Sequence, residues 1–386
     1  MPQVPEHVLK VKLEAMPPPS VHAGLRLKKE GRKSRRDGDN DSWIQTALLY
    51  ESTMTDARLN TLKNWLKALQ ANWQLDLDTL APASADASFR RYFRIQSQNP
   101  KFGTLIIMDA PPQHEPLDAF IQVDLLLSEA GLNVPKILEQ NPYEGFLLLN
   151  DLGNQTYLAA LNDQTANVLY QDATHALIQM QLASKPNILP NYDEALLQRE
   201  LDLFPEWYLK VHLQVNLTDL QKQQLKDTFA LIIENNLAQA KVYVHRDYHS
   251  RNLMVTAENN PGVLDFQDAV FGPITYDASS LWRDAYICWP EERVIDWVIK
   301  FWEQGRKAGL PIPDDFGHFY RDFEWMGLQR HLKVLGIFAR LFHRDGKDGY
   351  LKDIPLVLEY AIATANRYIE LKPLARILES TRATQK

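Results

Sequence analysis

The most constraining feature of this sequence is a polar loop held between two short apolar runs. The loop lies within His245–Val255, and the second apolar run, within Gly262–Gln267, follows a few residues later. Asp247 is followed five residues on by Asn252, and Asp265 ends the second run. These residue types at this spacing are the ones that phosphoryl transfer requires, so the pattern predicts an enzyme that moves a phosphate.

Each of these three polar residues has a predicted role. Asp247 is the candidate catalytic base, or the group that orients the attacking hydroxyl, because phosphoryl transfer depends mainly on positioning and charge stabilisation. Asn252 and Asp265 are candidate ligands of Mg²⁺, since this ion prefers hard oxygen donors. The alternative is that Asp247 and Asn252 are ordinary turn residues. The addition of Asp265 after a second apolar run favours the catalytic interpretation.

Three further side chains of the same loop have less certain roles on residue type alone. His245 is expected to hold the loop by packing and hydrogen bonding. His249 either supports the loop or contacts a phosphate or the acceptor, because buried histidines can do either. Arg251 either offsets phosphate charge or caps the helix side of the loop. The candidate catalytic residues are therefore Asp247, His249 and Arg251.

Length, charge and cysteine content limit the class of protein. The 386 residues exceed an ordinary single domain and suit two lobes that share a cleft. The net charge of −7 argues against a nucleic-acid partner, which would require a dominant basic field. No apolar run approaches the roughly 20 residues of a membrane span, and the N-terminus lacks the apolar centre of a secretory signal. Because Cys288 is the only cysteine, no intrachain disulfide can form, and we expect a cytoplasmic enzyme.

The chain divides into three segments by sequence pattern. Residues 1–53 hold a proline run, a basic run and an acidic helix-breaking stretch, so we expect a disordered extension. A basic arm that attracts nucleic acid or membrane is the alternative. Met54 is the expected start of the working protein, because apolar residues at helical spacing follow it. Strand patterns dominate residues 54–152, the expected nucleotide-binding lobe, and helical patterns dominate residues 153–386, the expected catalytic and acceptor-binding lobe.

The catalytic segment resembles the aminoglycoside phosphotransferase and choline kinase family of the protein-kinase-like superfamily. The shared features are the His-x-Asp loop with its later Asn, the metal motif around Asp265, and the pair Tyr276-Asp277. The resemblance extends from about Leu80 to the C-terminus. It implies an α+β bilobal protein-kinase-like fold, with a small strand-rich N-lobe containing an antiparallel sheet and a larger, mainly helical C-lobe. It also implies ATP and Mg²⁺ as cofactors, and a stabilising role for Tyr276-Asp277.

Motifs outside the catalytic loop carry a narrower resemblance. They are Met108–Pro112, Glu200–Tyr208, Leu264–Ala269, Leu281–Tyr286 and Gln329–Gly336. Together with the loop they are similar to those of bacterial kinases that phosphorylate N-acetylated amino sugars at the anomeric hydroxyl, in the recycling of cell-wall sugars. The resemblance implies a small-molecule amino sugar as acceptor, either N-acetylmuramate or N-acetylglucosamine, and composition and spacing alone do not indicate it.

The expected nucleotide site departs from the wider kinase pattern in two ways. Ser84–Phe89 stands in place of a Gly-rich phosphate loop, and the run Leu105–Asp109 has no lysine to pair with the phosphates. Small residues in the turn still allow backbone N–H groups to approach a phosphate. We therefore expect Ser88 near the phosphates. Either Arg90 or Arg91 supplies the charge of the missing lysine, or the metal ion carries more of it.

Two further sets of residues complete the predicted site. Adenine is expected at the strand-to-helix junction that contains Asn150 and Leu152. For the acceptor, aromatic rings can lie against a sugar, although aromatic residues at helical spacing are more often core. A guanidinium can bind the lactyl carboxylate of N-acetylmuramate through two hydrogen bonds, although a solvated face or an ion pair is the commoner role. The acceptor candidates are Tyr208, Arg283, Arg330 and Lys333.

Competing functions remain open on the sequence. A kinase of an aminoglycoside, choline or homoserine would use the same fold, but a polycationic aminoglycoside requires an acidic acceptor pocket. A pseudokinase that acts as a binding module is suggested by the missing lysine. Against it, Asp247, Asn252 and Asp265 are all present, and a protein without catalytic activity has no chemical need for the three together.

Overall fold

The structure, a computed structural model, describes residues 40–84 and 89–382. It divides into two compact units, Met1–Asn60 and Thr61–Lys386. The first helix, α1, spans Asn40–Trp73, so the boundary expected between residues 53 and 54 falls inside a helix. The physical reason is that residues 40–73 contain neither proline nor glycine, so the helix continues without a break. The rest of the expected extension, residues 1–39, lies outside the described residues.

The segment after α1 forms an antiparallel sheet and one helix. The elements are β1 (Leu75–Ser84), β2 (Arg91–Ser97), β3 (Thr104–Asp109), α2 (Leu117–Glu129), β4 (Ile137–Asn141) and β5 (Phe146–Asn150). The five strands lie in the order β1-β2-β3-β5-β4, and each neighbouring pair is antiparallel. The strand-rich N-lobe with an antiparallel sheet, predicted from the resemblance, is thus confirmed.

The register of the central strands gives the sheet two different faces. Phe93, Ile107 and Leu148 lie opposite one another on neighbouring strands and are buried. Phe146, on β5, packs against Trp65 of α1 with ring centroids 5.6 Å apart. Because side chains alternate along a strand, the neighbouring positions point the other way. That second face forms the roof of the cleft described below.

The remainder of the chain is mainly helical, as predicted for the C-lobe. Its helices and strands are α3 (Tyr157–Ala160), α4 (Ala166–Leu182), α5 (Glu194–Leu203), α6 (Asp219–Ala238), β6 (Lys241–Val244), β7 (Leu253–Met254), β8 (Gly262–Val263), β9 (Val270–Pro273), α7 (Tyr276–Trp282), α8 (Glu291–Ala308), α9 (Phe316–Asp345), α10 (Ile354–Arg367) and α11 (Lys372–Arg382). A π-helix (Phe204–His212) follows α5, and short 3₁₀ segments occupy Asp348–Asp353 and Ile369–Leu371.

Helix α9 forms much of the interior of this lobe. Its side chains are almost continuously buried between Phe319 and Ala339. Gly336 allows the close approach of the end of α5, because a Cβ atom there would lie 2.4 Å from the backbone of Leu203. Basic residues that a surface helix would expose, Arg330 and Lys333, are therefore held inside the protein. None of the helices in the described ranges is long and apolar enough to cross a membrane.

Candidate active site

The catalytic loop is anchored at its start by one carboxylate. Asp277, at the beginning of α7, accepts hydrogen bonds from the backbone N–H groups of His245 at 2.7 Å and Arg246 at 3.0 Å. Arg246 adopts a left-handed backbone conformation with φ of 77°, which a non-glycine residue holds only when its surroundings fix it. The two hydrogen bonds from Asp277 supply that restraint. Burial raises the pKa of Asp277 to about 7, while the two N–H groups act in the opposite direction.

A second buried carboxylate anchors the middle of the loop. Asp284, which follows α7, accepts hydrogen bonds from the backbone N–H of Ser250 at 3.0 Å and from its hydroxyl at 2.5 Å. His245 closes the loop on the side of the metal motif, since its Nε2 lies 2.9 Å from the carbonyl oxygen of Leu264. Burial lowers the pKa of His245 to about 4, so its ring is neutral at physiological pH. His245 therefore has the structural environment that the sequence predicted for it.

Asn252 and Asp265 lie side by side at the mouth of the loop. The Nδ2 of Asn252 donates to the backbone carbonyl of Asp247 at 3.0 Å and to Oδ2 of Asp265 at 3.3 Å. Its amide oxygen therefore has no hydrogen-bond donor among the described residues. Asp265 is exposed to the cleft, and its other oxygen accepts from Gln267 at 2.8 Å. A carboxylate beside an outward-facing amide oxygen is a donor set that suits Mg²⁺.

The Asp247 carboxylate lies among positive charges. Burial alone would raise its pKa, but Lys333, Arg330 and Arg246 outweigh that effect and hold the pKa well below its usual range. His249 contributes less at neutral pH, because burial lowers its own pKa. Within the described part of the chain, no group donates a hydrogen bond to the Asp247 side chain. The carboxylate is thus ionised and open to a ligand.

The other two candidate catalytic residues pack on aromatic rings. Arg251 lies over the ring of Tyr286, 4.0 Å from its centroid, and also approaches Tyr350 at 5.5 Å. The ring of His249 meets Tyr286 edge-on, with centroids 5.4 Å apart. Tyr286 is thus a shared support for both residues. Of the two, Arg251 lines the cleft.

A cleft of about 420 Å³ lies between the sheet and the catalytic loop. Its roof includes Tyr92, Arg94 and Ile106, which share one face of the sheet, and its floor includes Asn252 and Asp265. The junction after β5 forms another wall of the cleft, with Asn150 and Leu152, the residues predicted to lie near adenine. The structure thus brings the predicted adenine junction and the predicted metal residues to a single cavity.

The predicted phosphate-binding arginines have other partners. Arg90 pairs with Glu115 at 2.7 Å, and Arg91 pairs with the fully buried Asp109. Neither lines the cleft that the described residues form, and Ser88 lies outside those residues. Physically, Arg91 projects from the face of β2 opposite to the cleft, because it shares the orientation of Phe93 rather than that of Tyr92.

Arg94 is the cleft arginine that sequence reasoning missed. It lies on the same face of β2 as Tyr92 and forms two hydrogen bonds to Asp151, at 2.6 and 3.1 Å. A further bond, at 2.9 Å, joins it to the carbonyl oxygen of Gly153. The signal was present in the alternation of β2, since positions 92 and 94 must share a face. Arg94 thus ties the roof of the cleft to the junction after β5.

The acceptor candidates differ in their surroundings. Tyr208 is fully buried in the π-helix and stacks on Phe204, so its ring is part of the core. Arg283 pairs with the carboxylates of Glu291 and Glu324, at 3.3 and 3.8 Å. Neither residue lines the cleft that the described residues form between the sheet and the catalytic loop. Their role in acceptor binding stays a prediction.

Lys333 belongs to a buried cluster next to the loop. Its Nζ lies 3.3 Å from the carboxylate of Glu200 and 3.1 Å from the hydroxyl of Tyr276. The same carboxylate receives Arg246 at 2.6 Å. Glu200 is only 4% exposed, so the two cations satisfy a charge that could not otherwise be buried. Arg330, which lies on α9 with Lys333, also lowers the pKa of Asp247. It forms no ion pair with any of the described residues.

These features define a class of protein: a two-lobed, kinase-like phosphotransferase with its catalytic loop at the interlobe cleft. The comparison with protein families agrees, because the model of the phosphotransferase enzyme family known as APH matches residues 79–314. The chain belongs to this family. Family membership implies the use of ATP as the phosphate donor.

Curated relatives match most of the chain. A protein from Pseudomonas putida is 46% identical over 336 residues, covering 85% of this chain and 98% of the relative. A protein from Neisseria meningitidis serogroup B is 47% identical and covers 82% and 94%. A more distant relative from Caulobacter vibrioides is 29% identical and covers 71% and 84%. All three are named N-acetylmuramate/N-acetylglucosamine kinase.

Solved structures with the same fold are much more distant in sequence. A choline kinase from Cryptosporidium parvum aligns with a TM-score of 0.54 at 11% identity, covering 83% of this chain and 99% of that one. The ADP-bound aminoglycoside phosphotransferase APH(2'')-Ib aligns with a TM-score of 0.51 at 13% identity, covering 76% and 96%. At these identities the likeness concerns the fold alone, and it confirms the predicted protein-kinase-like architecture.

Proposed function

We propose that this protein is an ATP-dependent kinase that phosphorylates the anomeric hydroxyl of N-acetylmuramate and N-acetylglucosamine. The observation that carries the proposal is the set of relatives at 46–47% identity, which match over 94–98% of their own length and are named for these two sugars. The cleft supports the phosphoryl-transfer half of the proposal. Asn252 and Asp265 line the same cavity as the junction predicted to bind adenine.

Asp247 is proposed to act on the acceptor. In the reaction, the anomeric oxygen forms a bond to the γ-phosphorus while the bond between that phosphorus and the β,γ-bridging oxygen breaks, so that ADP leaves. The proton of the hydroxyl passes to the Asp247 carboxylate. Because its pKa is held low, Asp247 is a weak base, and its main contribution is to hold the hydroxyl in line for attack. This suits a loose transition state, in which the proton leaves late.

Asn252 and Asp265 would hold Mg²⁺, which when bound neutralises charge on the nucleotide phosphates. Both residues line the cleft on its catalytic side, and their oxygens are hard donors. Arg251 also lines the cleft and is fixed against Tyr286, so its guanidinium can offset phosphate charge without first being ordered. Asn150 and Leu152 are proposed to contact adenine.

Of the competing acceptors, a polycationic aminoglycoside is disfavoured by the charges near Asp247. The residues that lower its pKa most strongly include a lysine and two arginines. A neutral or anionic sugar avoids repulsion by these groups. The pseudokinase alternative is disfavoured because the Asp247 carboxylate is ionised and has no donor among the described residues.

The remaining assignments stay predictions. Residues 54–152 are proposed to bind nucleotide, residues 153–386 to bind acceptor and carry catalysis. The cytoplasmic location and the absence of nucleic-acid and membrane partners rest on the sequence alone. The single cysteine, the acidic net charge and the lack of a long apolar run are their respective grounds.

The proposal is tested by measuring ATP consumption in the presence of Mg²⁺ with a panel of acceptors. The panel comprises N-acetylmuramate, N-acetylglucosamine, glucose, kanamycin, choline and homoserine. We expect turnover with the two N-acetylated sugars and none above background with kanamycin or choline. Turnover with an antibiotic or an amino alcohol, and not with the sugars, would overturn the substrate assignment. ATP binding without turnover on any acceptor would instead favour the pseudokinase.

A further inference from the structure

Arg330 is a buried arginine that forms no ion pair with any described residue. It lies on α9, is 5% exposed, and donates no hydrogen bond to any of them. Its guanidinium carbon lies 5.4 Å from the centroid of the Tyr276 ring. Lys333 and Arg283, the other basic acceptor candidates, each have carboxylate partners. The carboxylates of Asp247 and Asp277 interact with the charge of Arg330, but neither accepts a hydrogen bond from it. Buried N–H groups without acceptors are unfavourable, and a bound anion would supply the missing acceptors.

The exposed part of Arg330 is the end that a ligand could reach. Among its nitrogens, Nε is shielded from solvent and has no partner, whereas the two terminal nitrogens are not shielded. The remaining exposure of the side chain is therefore at the edge that binds carboxylates through two parallel hydrogen bonds.

Arg330 lies near the catalytic loop and outside the nucleotide cleft. Its charge acts on Asp247 and on His249, two of the candidate catalytic residues. It does not line the cleft that contains Asn252 and Asp265, where the nucleotide phosphates are expected. Its charge thus reaches the residue proposed to hold the acceptor hydroxyl.

We propose that Arg330 binds the carboxylate of an acidic amino sugar and so confers selectivity for that sugar over its neutral counterpart. This inference rests on the proposed function, in which the acceptor is either N-acetylmuramate, with a lactyl carboxylate, or N-acetylglucosamine, which has none. The two sugars share the anomeric hydroxyl that is phosphorylated. They differ in the lactyl ether, so a residue that contacts its carboxylate affects only one of them.

The test pairs a change in the enzyme with a matching change in the substrate. Kinetic constants are measured for the full-length protein and for Arg330→Met, each with N-acetylmuramate, with its methyl ester, and with N-acetylglucosamine. Arg344→Met is the control, because Arg344 lies on the same helix but is exposed and pairs with its neighbour Asp345. The melting temperature of each variant is measured as well.

The expected result is a selective loss. For Arg330→Met, loss of the positive charge near Asp247 lowers activity with both sugars. With N-acetylmuramate alone, kcat/KM falls about 10- to 100-fold further, the scale of a lost charge-assisted hydrogen bond. This additional loss appears mainly in KM. In the unmodified protein, kcat/KM falls by a similar factor when N-acetylmuramate is replaced by its methyl ester. In Arg330→Met, kcat/KM is the same for the ester as for the acid. Arg344→Met behaves like the unmodified protein.

Other results would overturn the assignment. A fall in kcat/KM of the same size with both sugars would mean that Arg330 acts only on the transferred phosphoryl group or on Asp247. A fall with N-acetylmuramate that the methyl ester does not reproduce would exclude a carboxylate contact. A loss of activity accompanied by a large fall in melting temperature would assign Arg330 a structural role, and Arg330→Lys, which keeps the charge, would then restore stability without selectivity. If the unmodified protein phosphorylates neither sugar, the proposed function itself fails.

Discussion

Asp124 is expected to make the stability of this protein fall as the pH rises. The residue lies on α2, is 4% exposed, and its Oδ1 has no hydrogen-bond partner among the described residues. Burial raises the pKa of Asp124 to about 7. No charged neighbour contributes to this shift, so the effect comes from desolvation alone.

The size of the effect follows from the two pKa values. A carboxyl whose pKa is about 7 in the folded protein and 3.8 in the unfolded chain is held protonated by folding. Its destabilising effect is therefore absent below pH 3.8, grows as the pH rises, and is complete above pH 7. At that point it amounts to roughly 4 kcal/mol, of which roughly 3 kcal/mol develops between pH 5 and pH 8. This is a large part of the usual 5–15 kcal/mol stability of a folded domain.

Asp124→Asn removes the titration while keeping the shape of the side chain. Its free energy of unfolding in urea should exceed that of the unmodified protein by an amount that grows by roughly 3 kcal/mol from pH 5 to pH 8. Asp118→Asn is the control, because Asp118 is an exposed acid in the first turn of the same helix. Its effect should be small and nearly independent of pH. A constant difference between Asp124→Asn and the unmodified protein at all pH values would refute the reasoning.

Three further predictions concern the cleft. Asp247→Asn should lower kcat about 10²- to 10⁴-fold while leaving ADP affinity unchanged. The control is Asp268→Asn, which changes an exposed acid on the loop after the metal motif and should leave both quantities unchanged. Steady-state kinetics measures kcat, calorimetry measures ADP affinity, and retained turnover in Asp247→Asn would remove Asp247 from its role. Asp265→Ala should abolish Mg²⁺-dependent turnover and weaken Mn²⁺ binding in the presence of ADP, so a variant with normal metal binding would contradict the metal assignment. Arg94→Met, which breaks the ion pair with Asp151, should raise KM for ATP about 3- to 30-fold with little change in kcat, and an unchanged KM would separate Arg94 from nucleotide binding.

The sequence was sufficient for the parts of the site that are close together in the chain. Asp247 and Asn252 come before β7, and Asp265 follows β8, its antiparallel partner, so their spacing determines their proximity. The antiparallel sheet was also predictable, because the alternation in β2 and the short apolar run of β3 are local signals. The same alternation indicates which side chains of β2 face the cleft, and it would have favoured Arg94 over Arg91.

The contacts that join distant segments could not be read from the sequence. Asp284 holds Ser250 across 34 residues, and Glu200 meets Lys333 and Arg246 only because α5 packs against α9. Residue type does not predict which arginine, on α9 or at the end of α7, forms an ion pair with a carboxylate. Arg283 has such a partner and Arg330 does not, a difference that packing alone determines. The helical residues before Met54 were missed because the acidic, basic and proline-rich stretches upstream dominated the composition of the segment.

The central claim is that the acceptor is an anomeric hydroxyl, and phosphorus NMR of the product tests it most directly. The full-length protein is incubated with ATP, Mg²⁺ and N-acetylglucosamine or N-acetylmuramate, and coupling between phosphorus and the sugar protons is recorded. We expect one new phosphate resonance coupled to the proton on C1, and much less of it after the same incubation with Asp247→Asn. A phosphate coupled to the protons on C6, or no sugar phosphate at all, would contradict it.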